Sequence, residues 1–248
     1  MEICALTDTG KVRSSNQDYI YASSRRVGPL PNLLLLADGM GGANAGDYAS
    51  RFFVEGLVSY ISRQKGTAPE VTVLRQGITE VNRRLYQESV KVPALRGMGT
   101  TAVAATVSEG ILYVANVGDS RLYLIRKGII QVTRDHSYVE EMVSLGLLKR
   151  ESPDYQKKKN YITRAVGTDA SIDIDFFEVS LQAGDMILLC SDGLTNMVDD
   201  DSIYSIAAGA GSLTEKCRRL IQTANDNGGR DNISAILAEP AESEVTPC

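Results

Sequence analysis

Apolar runs bordered by an aspartate are the feature of this sequence that most constrains its fold. Three runs lead into an aspartate and a fourth follows one: Leu33–Leu36 before Asp38, Ile111–Val117 before Asp119, Met186–Cys190 before Asp192, and Ile233–Ala238 after Asp231. Runs of this length and composition predict buried strands, so each carboxylate is expected where a strand meets a turn. If the strands share one core, the carboxylates converge at one edge, where they need a compensating charge.

The chemistry of such a cluster favours a hard cation. Carboxylate and carbonyl oxygens are the ligands that Mg²⁺ and Mn²⁺ prefer. A single Asp-Gly pair indicates no more than a turn, but four aspartates occupy similar positions here, and Asp38 and Asp192 each precede a glycine. Gly39 has no side chain to keep an ion away from its backbone carbonyl. The sequence therefore predicts a metal site built from oxygen ligands.

Composition and charge restrict the class of protein. A length of 248 residues suits one large domain or two small ones, and a hydrophobic content of 43% can supply a full core. The net charge of -5 disfavours binding to nucleic acid. No run approaches the ~18 apolar residues of a membrane span, and the start lacks the pattern of a secretion signal. The cysteines form no Cys-x-x-Cys pair, which argues against a zinc ribbon or disulfide framework. A cytoplasmic protein without membrane contact is expected.

The single histidine, His136, narrows the possible chemistry further. One histidine cannot build a site of several histidine ligands, and a serine hydrolase triad would need His136 as its base. No Gly-x-Ser-x-Gly motif accompanies it. His136 lies in a segment typical of a turn that enters a helix, so we predict a structural hydrogen-bonding role.

The periodicity of apolar residues predicts helices around a series of strands. The predicted helices are 43–65, 70–91, 137–148, 199–208 and 212–226. Strands are predicted within residues 1–40 and at Thr100–Val107, Ile111–Val117, Arg121–Arg126, Ile129–Val132, Phe176–Leu181, Met186–Cys190 and Ile233–Ala238. The four strands between residues 100 and 132 are joined by short turns, which predicts an antiparallel meander and disfavours a parallel fold. We expect one domain over residues 1–240, with sheet packed on sheet and helices outside, and a loose tail at 241–248.

Seven motifs, taken in their order along the chain, resemble those of one family. They are Lys11-Val12-Arg13-Ser14-Ser15-Asn16-Gln17-Asp18, Asp38-Gly39-Met40-Gly41-Gly42, Gly99-Thr100-Thr101, Asn116-Val117-Gly118-Asp119-Ser120-Arg121, Asp135-His136-Ser137, Ser191-Asp192-Gly193 and Gly229-Arg230-Asp231-Asn232. In this order, from about residue 3 to 238, the chain resembles the metal-dependent serine/threonine phosphatases of the protein phosphatase 2C family in their short bacterial form. The resemblance implies an α+β fold, a four-layer α-β-β-α sandwich of two antiparallel sheets flanked by helices.

The resemblance also implies roles for individual residues. Asp38 would bridge two Mn²⁺ or Mg²⁺ ions, and the carbonyl of Gly39 would bind one of them. The remaining roles implied are these: Asp192 and Asp231 hold the other ion, Asp18 binds directly or orients a bound water, Asp119 holds a possible third ion, and Arg13 grips the substrate phosphate. A pair of divalent ions can activate water and offset phosphoryl charge, and an arginine fork suits phosphate. The implied substrates are phosphorylated proteins, those of a bacterial serine/threonine kinase, and the expected state is a monomer.

Two departures from the family pattern leave questions open. Many relatives have a histidine at the position of Met40 or close to Ala43 and Asn44, so protonation of the leaving group is unassigned here; a bound water or His136 are the alternatives. The polar stretch 149–160 corresponds to the variable flap of the family. Its three lysines, Lys157-Lys158-Lys159, either attract acidic phosphopeptides or form an ordinary solvated loop.

Two other functions fit the sequence less well than an enzyme of this family: binding of a dinucleotide, and binding of phosphoproteins without catalysis. The segment Gly39-Met40-Gly41-Gly42 superficially resembles a dinucleotide-binding loop, but the third glycine of that motif is replaced by Asn44. A phosphoprotein-binding module without activity would be expected to lack one or more of the metal-binding aspartates, and all are present. The sequence therefore favours a catalytic phosphatase.

Overall fold

The computed structural model describes residues 1–41, 45–150 and 152–245. The strands are β1 (Glu2–Asp8), β2 (Asp18–Ser23), β3 (Leu33–Met40), β4 (Gly99–Thr100), β5 (Ala102–Ser108), β6 (Ile111–Val117), β7 (Arg121–Ile125), β8 (Ile129–Gln131), β9 (Asp175–Ser180), β10 (Met186–Cys190) and β11 (Ile233–Glu239). The helices are α1 (Ala45–Arg63), α2 (Glu70–Lys91), α3 (Tyr138–Ser144), α4 (Pro153–Lys158), α5 (Asp192–Thr195), α6 (Asp200–Ala208) and α7 (Leu213–Asp226).

The strands form two antiparallel sheets. One sheet has the order β1-β11-β10-β7-β8, and the other has the order β2-β3-β5-β6-β9 with β4 paired to β3. Helices α1 and α2 cover the second sheet, while α7 packs on β1 and β11 of the first. The predicted four-layer sandwich of two antiparallel sheets between helices is confirmed.

Alternation along the central strands explains why their sequences are apolar throughout. In β3, Leu33 and Leu35 face α1 and α2, whereas Leu34 and Leu36 pack between the two sheets. Because successive side chains of a strand point to opposite faces, a strand buried on both faces needs an unbroken apolar run. β10 and β11 divide their side chains in the same way between the inter-sheet core and the layer under α5, α6 and α7.

The predicted meander between residues 100 and 132 is wrong. β5 and β6 form a hairpin in one sheet, whereas β7 and β8 form a hairpin in the other. The segment Gly118-Asp119-Ser120 was predicted to be a hairpin turn and instead connects the two sheets. Gly118 has φ +101, and a Cβ there would lie 2.7 Å from Cγ2 of Thr101, so only glycine fits this crossing without strain.

The other elements differ from the predictions mainly at their boundaries. Helix 70–91 and strand Met186–Cys190 have the predicted bounds. The strand predicted at Thr100–Val107 is interrupted at Thr101, where the chain leaves β4 and enters β5. The polar stretch 149–160 contains the short helix α4, with Ser152 as its N-cap, and α5 directly after Ser191 was not predicted.

The two ends of the described chain are joined. The α-ammonium of Met1 forms an ion pair of 2.7 Å with Oε2 of Glu244, in a short 3-10 turn at Glu242–Glu244. Val245 is buried against the inter-sheet core. The described part of the predicted tail, 241–245, is therefore packed on the sandwich, and 246–248 lie outside the described residues. Within the described ranges no helix has the length and apolarity to cross a bilayer.

Candidate metal centre and phosphate site

Neighbouring strands bring the predicted aspartates to one end of the sandwich. Asp18 and Asp38 face each other across the β2–β3 ladder. Asp192 begins α5 directly after β10, and Asp231 precedes β11, the strand paired with β10. A cavity of about 540 Å³ opens at this end, and six of its lining residues are those predicted for the site: Arg13, Asp38, Gly39, Asp119, Asp192 and Asp231.

Backbone and hydroxyl groups of the Gly99-Thr100-Thr101 motif fix Asp38. The N–H of Asp38 donates to Oγ1 of Thr101, and its carbonyl accepts from the N–H of Thr101 and the hydroxyl of Thr100. The hydroxyl of Thr101 also lies 2.7 Å from that of Ser120, beside Asp119. The break between β4 and β5 thus supplies polar groups that hold Asp38 and link it to the crossing between the sheets.

Asp18 ties the two sheets together below the cavity. Its Oδ2 accepts hydrogen bonds from the hydroxyls of Ser191 and Ser234, at 2.8 and 2.6 Å, and both serines belong to the opposite sheet or its edge. Its Oδ1 is buried and has no hydrogen-bond partner. One oxygen of Asp18 is therefore fixed, while the other is left for a ligand.

His136 holds the segment that carries Asp119. Its ring Nδ1 accepts a hydrogen bond from the backbone N–H of Gly118 at 3.1 Å, and the backbone N–H of His136 donates to the Gly118 carbonyl at 2.9 Å. Nε2 lies 3.2 Å from Oδ2 of Asp175. Because Nδ1 accepts a hydrogen bond, the neutral ring carries its hydrogen on Nε2, which donates a hydrogen bond to Asp175. His136 has 4% of its surface exposed. These contacts fit the predicted structural role and leave its ring away from the cavity.

The remaining carboxylates of the site differ in how many of their oxygens have a hydrogen-bond partner. Oδ2 of Asp192 accepts from the side-chain amide of Asn196, and its Oδ1 is buried without a partner. Oδ2 of Asp231 accepts from Nη2 of Arg13 at 2.7 Å, and its Oδ1 accepts from the N–H of Asn232. Oδ1 of Asp119 is also buried without a partner.

Asn232 organises the loop that carries Arg13. Its side-chain amide donates to the carbonyls of Thr9 and Ser15, and its Oδ1 accepts from the N–H of Gln17. The amide thereby anchors the loop between β1 and β2 beside Asp231. A side chain with 5% exposure that satisfies three backbone groups cannot be replaced without leaving buried polar groups unpaired.

Burial, with repulsion from neighbouring aspartates, raises the pKa of four carboxyl groups: Asp18, Asp38, Asp119 and Asp192. Burial raises the pKa of Asp18 to about 7, although hydrogen bonds from Ser234 and Ser191 act in the opposite direction. Burial, followed by repulsion from Asp231, raises the pKa of Asp192 to about 6. The pKa values of Asp38 and Asp119 lie well above the ordinary value for the same leading reason, with repulsion from neighbouring aspartates added. Such a cluster is stabilised by a bound cation.

The donor set fits divalent cations of the Mn²⁺ or Mg²⁺ type. Buried oxygens without partners on Asp18, Asp119 and Asp192 point to a missing positive charge, and every candidate ligand is an oxygen. In the part of the chain that is described, no three acidic, histidine or cysteine side chains are already arranged about one point. Asp231 is paired with Arg13.

Several residues of the site were not predicted from the sequence. Ser191, Ser234 and Asn196 hold the aspartates, and serine or asparagine beside a turn gives no distinctive signal. Asn160 and Tyr161 follow α4 and line the cavities around the site, next to Lys159, one of the three lysines singled out in the sequence. Met40 also lines the main cavity, whereas Ala43 and Asn44 lie outside the described residues.

Comparison with known proteins agrees with this architecture. The profile of the Protein phosphatase 2C family matches residues 10–238. The "Serine/threonine phosphatase stp" of Listeria monocytogenes is 38% identical over 242 residues, with 94% of this chain and 93% of the relative covered. The "Protein phosphatase PhpP" of Streptococcus pneumoniae is 38% identical over 247 residues, with 99% and 100% covered. The crystal structure of serine/threonine phosphatase Stp1 from Staphylococcus aureus superposes with a TM-score of 0.88 at 35% identity, covering 97% of this chain and 95% of that one.

A double antiparallel sandwich with an aspartate-lined cavity, matched along its length by serine/threonine phosphatases, defines the class of this protein as a protein-serine/threonine phosphatase. Within that class, the chain belongs to the protein phosphatase 2C family, and bacterial members of that family are among its relatives. Proteins of this class act on phosphorylated proteins.

Proposed function

We propose that this phosphatase hydrolyses phosphoserine and phosphothreonine at a pair of Mn²⁺ or Mg²⁺ ions held by its aspartates. Asp38, the carbonyl of Gly39, Asp192 and Asp231 are the proposed ligands, with Asp18 as a further ligand or as the group that orients water. The observation that carries this proposal is the set of buried carboxylate oxygens without partners beside one cavity. When bound, the cations would acidify water and offset the charge of the phosphoryl group.

The protein's own groups hold the ligands in place. The Thr100 and Thr101 hydroxyls fix the backbone of Asp38, and the two serine hydroxyls on Asp18 fix one of its oxygens. Side chains locked in this way keep their geometry when substrate binds, which is the condition for efficient catalysis. The fixed groups come from both sheets, so the sandwich itself serves as the scaffold.

Arg13 is proposed to bind the substrate phosphate. Its side chain is 51% exposed at the rim of the cavity, and its guanidinium already contacts a carboxylate, Asp231. A planar fork that pairs with a carboxylate can pair in the same way with two phosphate oxygens. Arg13 therefore positions the phosphoryl group over the aspartates.

Asp119 is proposed to hold a third, more weakly bound cation. It lies on the crossing between the sheets, and its buried Oδ1 has no partner. A lone carboxylate can hold Mg²⁺ or Mn²⁺ that keeps most of its waters. Protonation of the leaving alkoxide would depend on Asp119 and the water around it, because both ring nitrogens of His136 are engaged in the fold.

The proposed setting is a cytoplasmic signalling pathway. The phosphatase would act as a monomeric catalytic domain, residues 1–240, and remove phosphate that a serine/threonine kinase has added to the kinase itself and its substrates. The names of the relatives, a serine/threonine phosphatase and a protein phosphatase, support the substrate class. Phosphoproteomics of cells lacking this protein, beside their parent, would identify these substrates by their increased phosphorylation.

Activity with and without metal tests the mechanism. Protein treated with chelator and then dialysed should hydrolyse neither p-nitrophenyl phosphate nor a phosphothreonine peptide, and added Mn²⁺ or Mg²⁺ should restore both activities. Full turnover by the metal-stripped protein would contradict the proposal. Binding of the phosphopeptide without turnover at any metal concentration would favour the alternative of a binding module.

The variant Asp38→Asn tests the central ligand. We expect kcat to fall by about three orders of magnitude or more, because the variant would lose a carboxylate proposed to hold the cations. The control is Asp173→Asn, which removes the same charge from an exposed position outside the cavity. If Asp38→Asn kept the parental kcat, Asp38 would not be a ligand.

A further inference from the structure

A second cavity beside the metal centre is bordered by two cations. Its volume is about 410 Å³, and Lys159 and Arg230 line it together with Asn160, Asn196 and Asp231. Asn160 and Asp231 also line the aspartate cavity, so the two cavities are adjacent. A peptide whose phosphorylated residue lies over the aspartates would therefore pass this second cavity with a neighbouring residue.

The fold directs Lys159, among the three lysines of the flap, to this place. Lys158 lies over the ring of Tyr138, with its Nζ 5.5 Å from the ring centre, and Lys157 is exposed. Lys159 is half-buried at the C-terminal end of α4 and lines both this cavity and a smaller one of about 180 Å³ that contains Asp119 and Asp192. The predicted alternative of a uniformly solvated loop does not describe Lys159.

Hydrogen bonds hold the segment before Lys159 against the domain. The hydroxyl of Tyr155 in α4 donates to Oε1 of Glu140 at 2.6 Å, and Arg150 forms a two-armed ion pair with the same carboxylate. Glu140 is 8% exposed and lies on α3, which Ser137 caps. The position of Lys159 is thus set by a buried carboxylate and is not that of a free loop.

Arg230 is placed by the turn that carries Asp231. Gly229, with φ +52, and Gly228 precede it, and both the Arg230 side chain and the sulfur of Met197 border the space beside Gly228. The position of Asp231 in the metal site fixes the backbone of its neighbour. Arg230 therefore extends from a rigid turn toward the second cavity.

The two cations have no carboxylate partner, in contrast to four arginines at this end of the molecule. Arg13, Arg121, Arg150 and Arg164 form ion pairs with Asp231, Asp135, Glu140 and Asp175. In the described parts of the chain, the side chains of Lys159 and Arg230 form neither an ion pair nor a hydrogen bond. Burial lowers the pKa of Lys159, and repulsion from Arg121 and Arg230 adds to this, while Asp192 opposes it. Two mutually repelling cations on one cavity are a favourable site for an anion.

We propose that Lys159 and Arg230 form a subsite for an anionic group close to the phosphorylated residue of the substrate protein. The group is the carboxylate of a glutamate or aspartate, or a second phosphate, since both present oxygen anions to the same cations. This subsite makes the enzyme selective for acidic or multiply phosphorylated segments. The proposal rests on the function proposed above, because it assumes that the hydrolysed phosphate lies over the aspartates.

A competing role for the same residues is to offset the negative charge of the metal-site aspartates. In that case their removal would alter metal affinity and would affect all phosphopeptides equally. A substrate subsite instead predicts an effect that depends on the sequence of the peptide. The two roles are therefore separated by comparing substrates within one variant.

The test uses phosphothreonine peptides that share one length and differ only in the flanking residues. The flanks are neutral, acidic with glutamate on both sides, doubly phosphorylated, or basic with lysine. We expect kcat/KM of the parent to be about tenfold higher for the acidic and doubly phosphorylated peptides than for the neutral peptide, and the preference to shrink as salt is raised. In the double variant Lys159→Gln/Arg230→Gln, kcat/KM for the acidic and doubly phosphorylated peptides should exceed that for the neutral peptide by less than about twofold.

Charge reversal and a matched control complete the design. Lys159→Glu/Arg230→Glu should prefer the basic peptide, because the subsite then carries the opposite charge. Arg63→Gln/Lys65→Gln removes two cations from exposed positions at and after the end of α1, outside this cavity, and should retain the parental ratios. Equal loss on all peptides in the first variant, or no preference in the parent, would overturn the subsite. Turnover of the neutral peptide in the same assay shows that the proposed phosphatase mechanism stands, and its absence would show that the mechanism itself has failed.

Discussion

Arg13 forms an ion pair with Asp231, although Arg13 is proposed to bind the substrate phosphate and Asp231 is proposed to bind a metal ion. Their atoms Nη2 and Oδ2 are 2.7 Å apart, and the Asp231 side chain is 31% exposed. An ion pair with this exposure contributes little to stability, about 0–1 kcal/mol. It can therefore be broken at small cost when phosphate and cations compete for the two partners.

The variant Arg13→Ala should weaken use of the substrate with little effect on the fold. We expect kcat/KM for a phosphopeptide to fall by the equivalent of about 2–4 kcal/mol, since a charge-assisted contact to phosphate is lost. Metal affinity, measured by calorimetry, should change little or increase slightly, because Asp231 loses a competing partner. Parental kinetics would show that Arg13 is only a surface residue paired with Asp231.

The variant Asp119→Ala tests protonation of the leaving group. Its kcat should fall more for phosphoserine peptides than for p-nitrophenyl phosphate, because an alkoxide leaving group needs a proton and nitrophenolate needs little help. Two metal ions per chain should remain bound. Equal losses of kcat on the two substrates would contradict the role in proton supply, and loss of all bound metal would contradict a separate third site.

From sequence alone, the candidate ligands could be proposed more readily than the residues that hold them in place. Asp38, Asp192 and Asp231 adjoin apolar strands, and that pattern is visible without coordinates. Ser191 and Ser234, which fix Asp18, come from positions 43 residues apart in the chain, and a serine has many possible roles. The contacts that fix a ligand depend on strand pairing and register, which local sequence specifies only weakly.

At the scale of elements, the crossing at Gly118-Asp119-Ser120 determines both the fold and the position of a carboxylate. Two short hairpins precede and follow it, and the turn signals on either side are similar. Pairing of β7 with β10, and not with β6, decides which sheet it joins. The sequence pattern could not distinguish these alternatives, because all of these strands are apolar and short. The bounds of α2 were predictable because a 22-residue amphipathic helix has a strong period.

The variant Gly118→Ala tests the crossing. The backbone has φ +101, and the added Cβ would press on the side chain of Thr101, which bonds to Asp38 and Ser120. We expect the free energy of unfolding to fall by about 2 kcal/mol or more, and kcat to decrease because Asp38 and Asp119 are displaced. Thermal and urea unfolding with steady-state kinetics would measure both.

Gly128→Ala is the control for that experiment. Gly128 lies in the turn between β7 and β8, and a Cβ there meets nothing within 4 Å. Its free energy of unfolding should change by less than about 0.5 kcal/mol. If the two alanine variants were equally stable and active, the crossing would not require glycine.

At the scale of the whole molecule, negative charge is concentrated where the two sheets end together. Five aspartates from both sheets and their connections share this region, in a chain whose net charge is -5. The fold brings them together because strands from the two sheets are tied there by Asp18, Ser191 and Ser234. The same arrangement that prepares a cation site makes the metal-free protein electrostatically unfavourable.

The metal-free protein should therefore become less stable as pH rises from 6.5 to 8.5. The folded pKa values of Asp18 and Asp192 are about 7 and about 6, above the ordinary 3.8 of an unfolded carboxyl group. The folded state then holds protons that the unfolded state has lost, so the free energy of unfolding falls as pH rises through the folded pKa. Burial lowers the pKa of His136 below its ordinary value of 6.5. Below pH 6.5 the unfolded state therefore holds more protons on His136 than the folded state does, so this group makes the free energy of unfolding rise with pH. An interval that begins at pH 6.5 avoids most of this opposing effect.

Urea unfolding in the presence of chelator at the two pH values would measure this difference, which we expect to be about 1–3 kcal/mol. Saturating Mn²⁺ or Mg²⁺ should reverse the order, because these ions bind the ionised carboxylates and their stabilisation increases with pH. The variant Asp38→Asn should show a smaller pH dependence without metal, since it removes the carboxylate that the other aspartates repel. A metal-free protein that is equally or more stable at pH 8.5 would mean that the aspartates do not repel one another in the folded chain, and a shared cation site would lose its electrostatic basis.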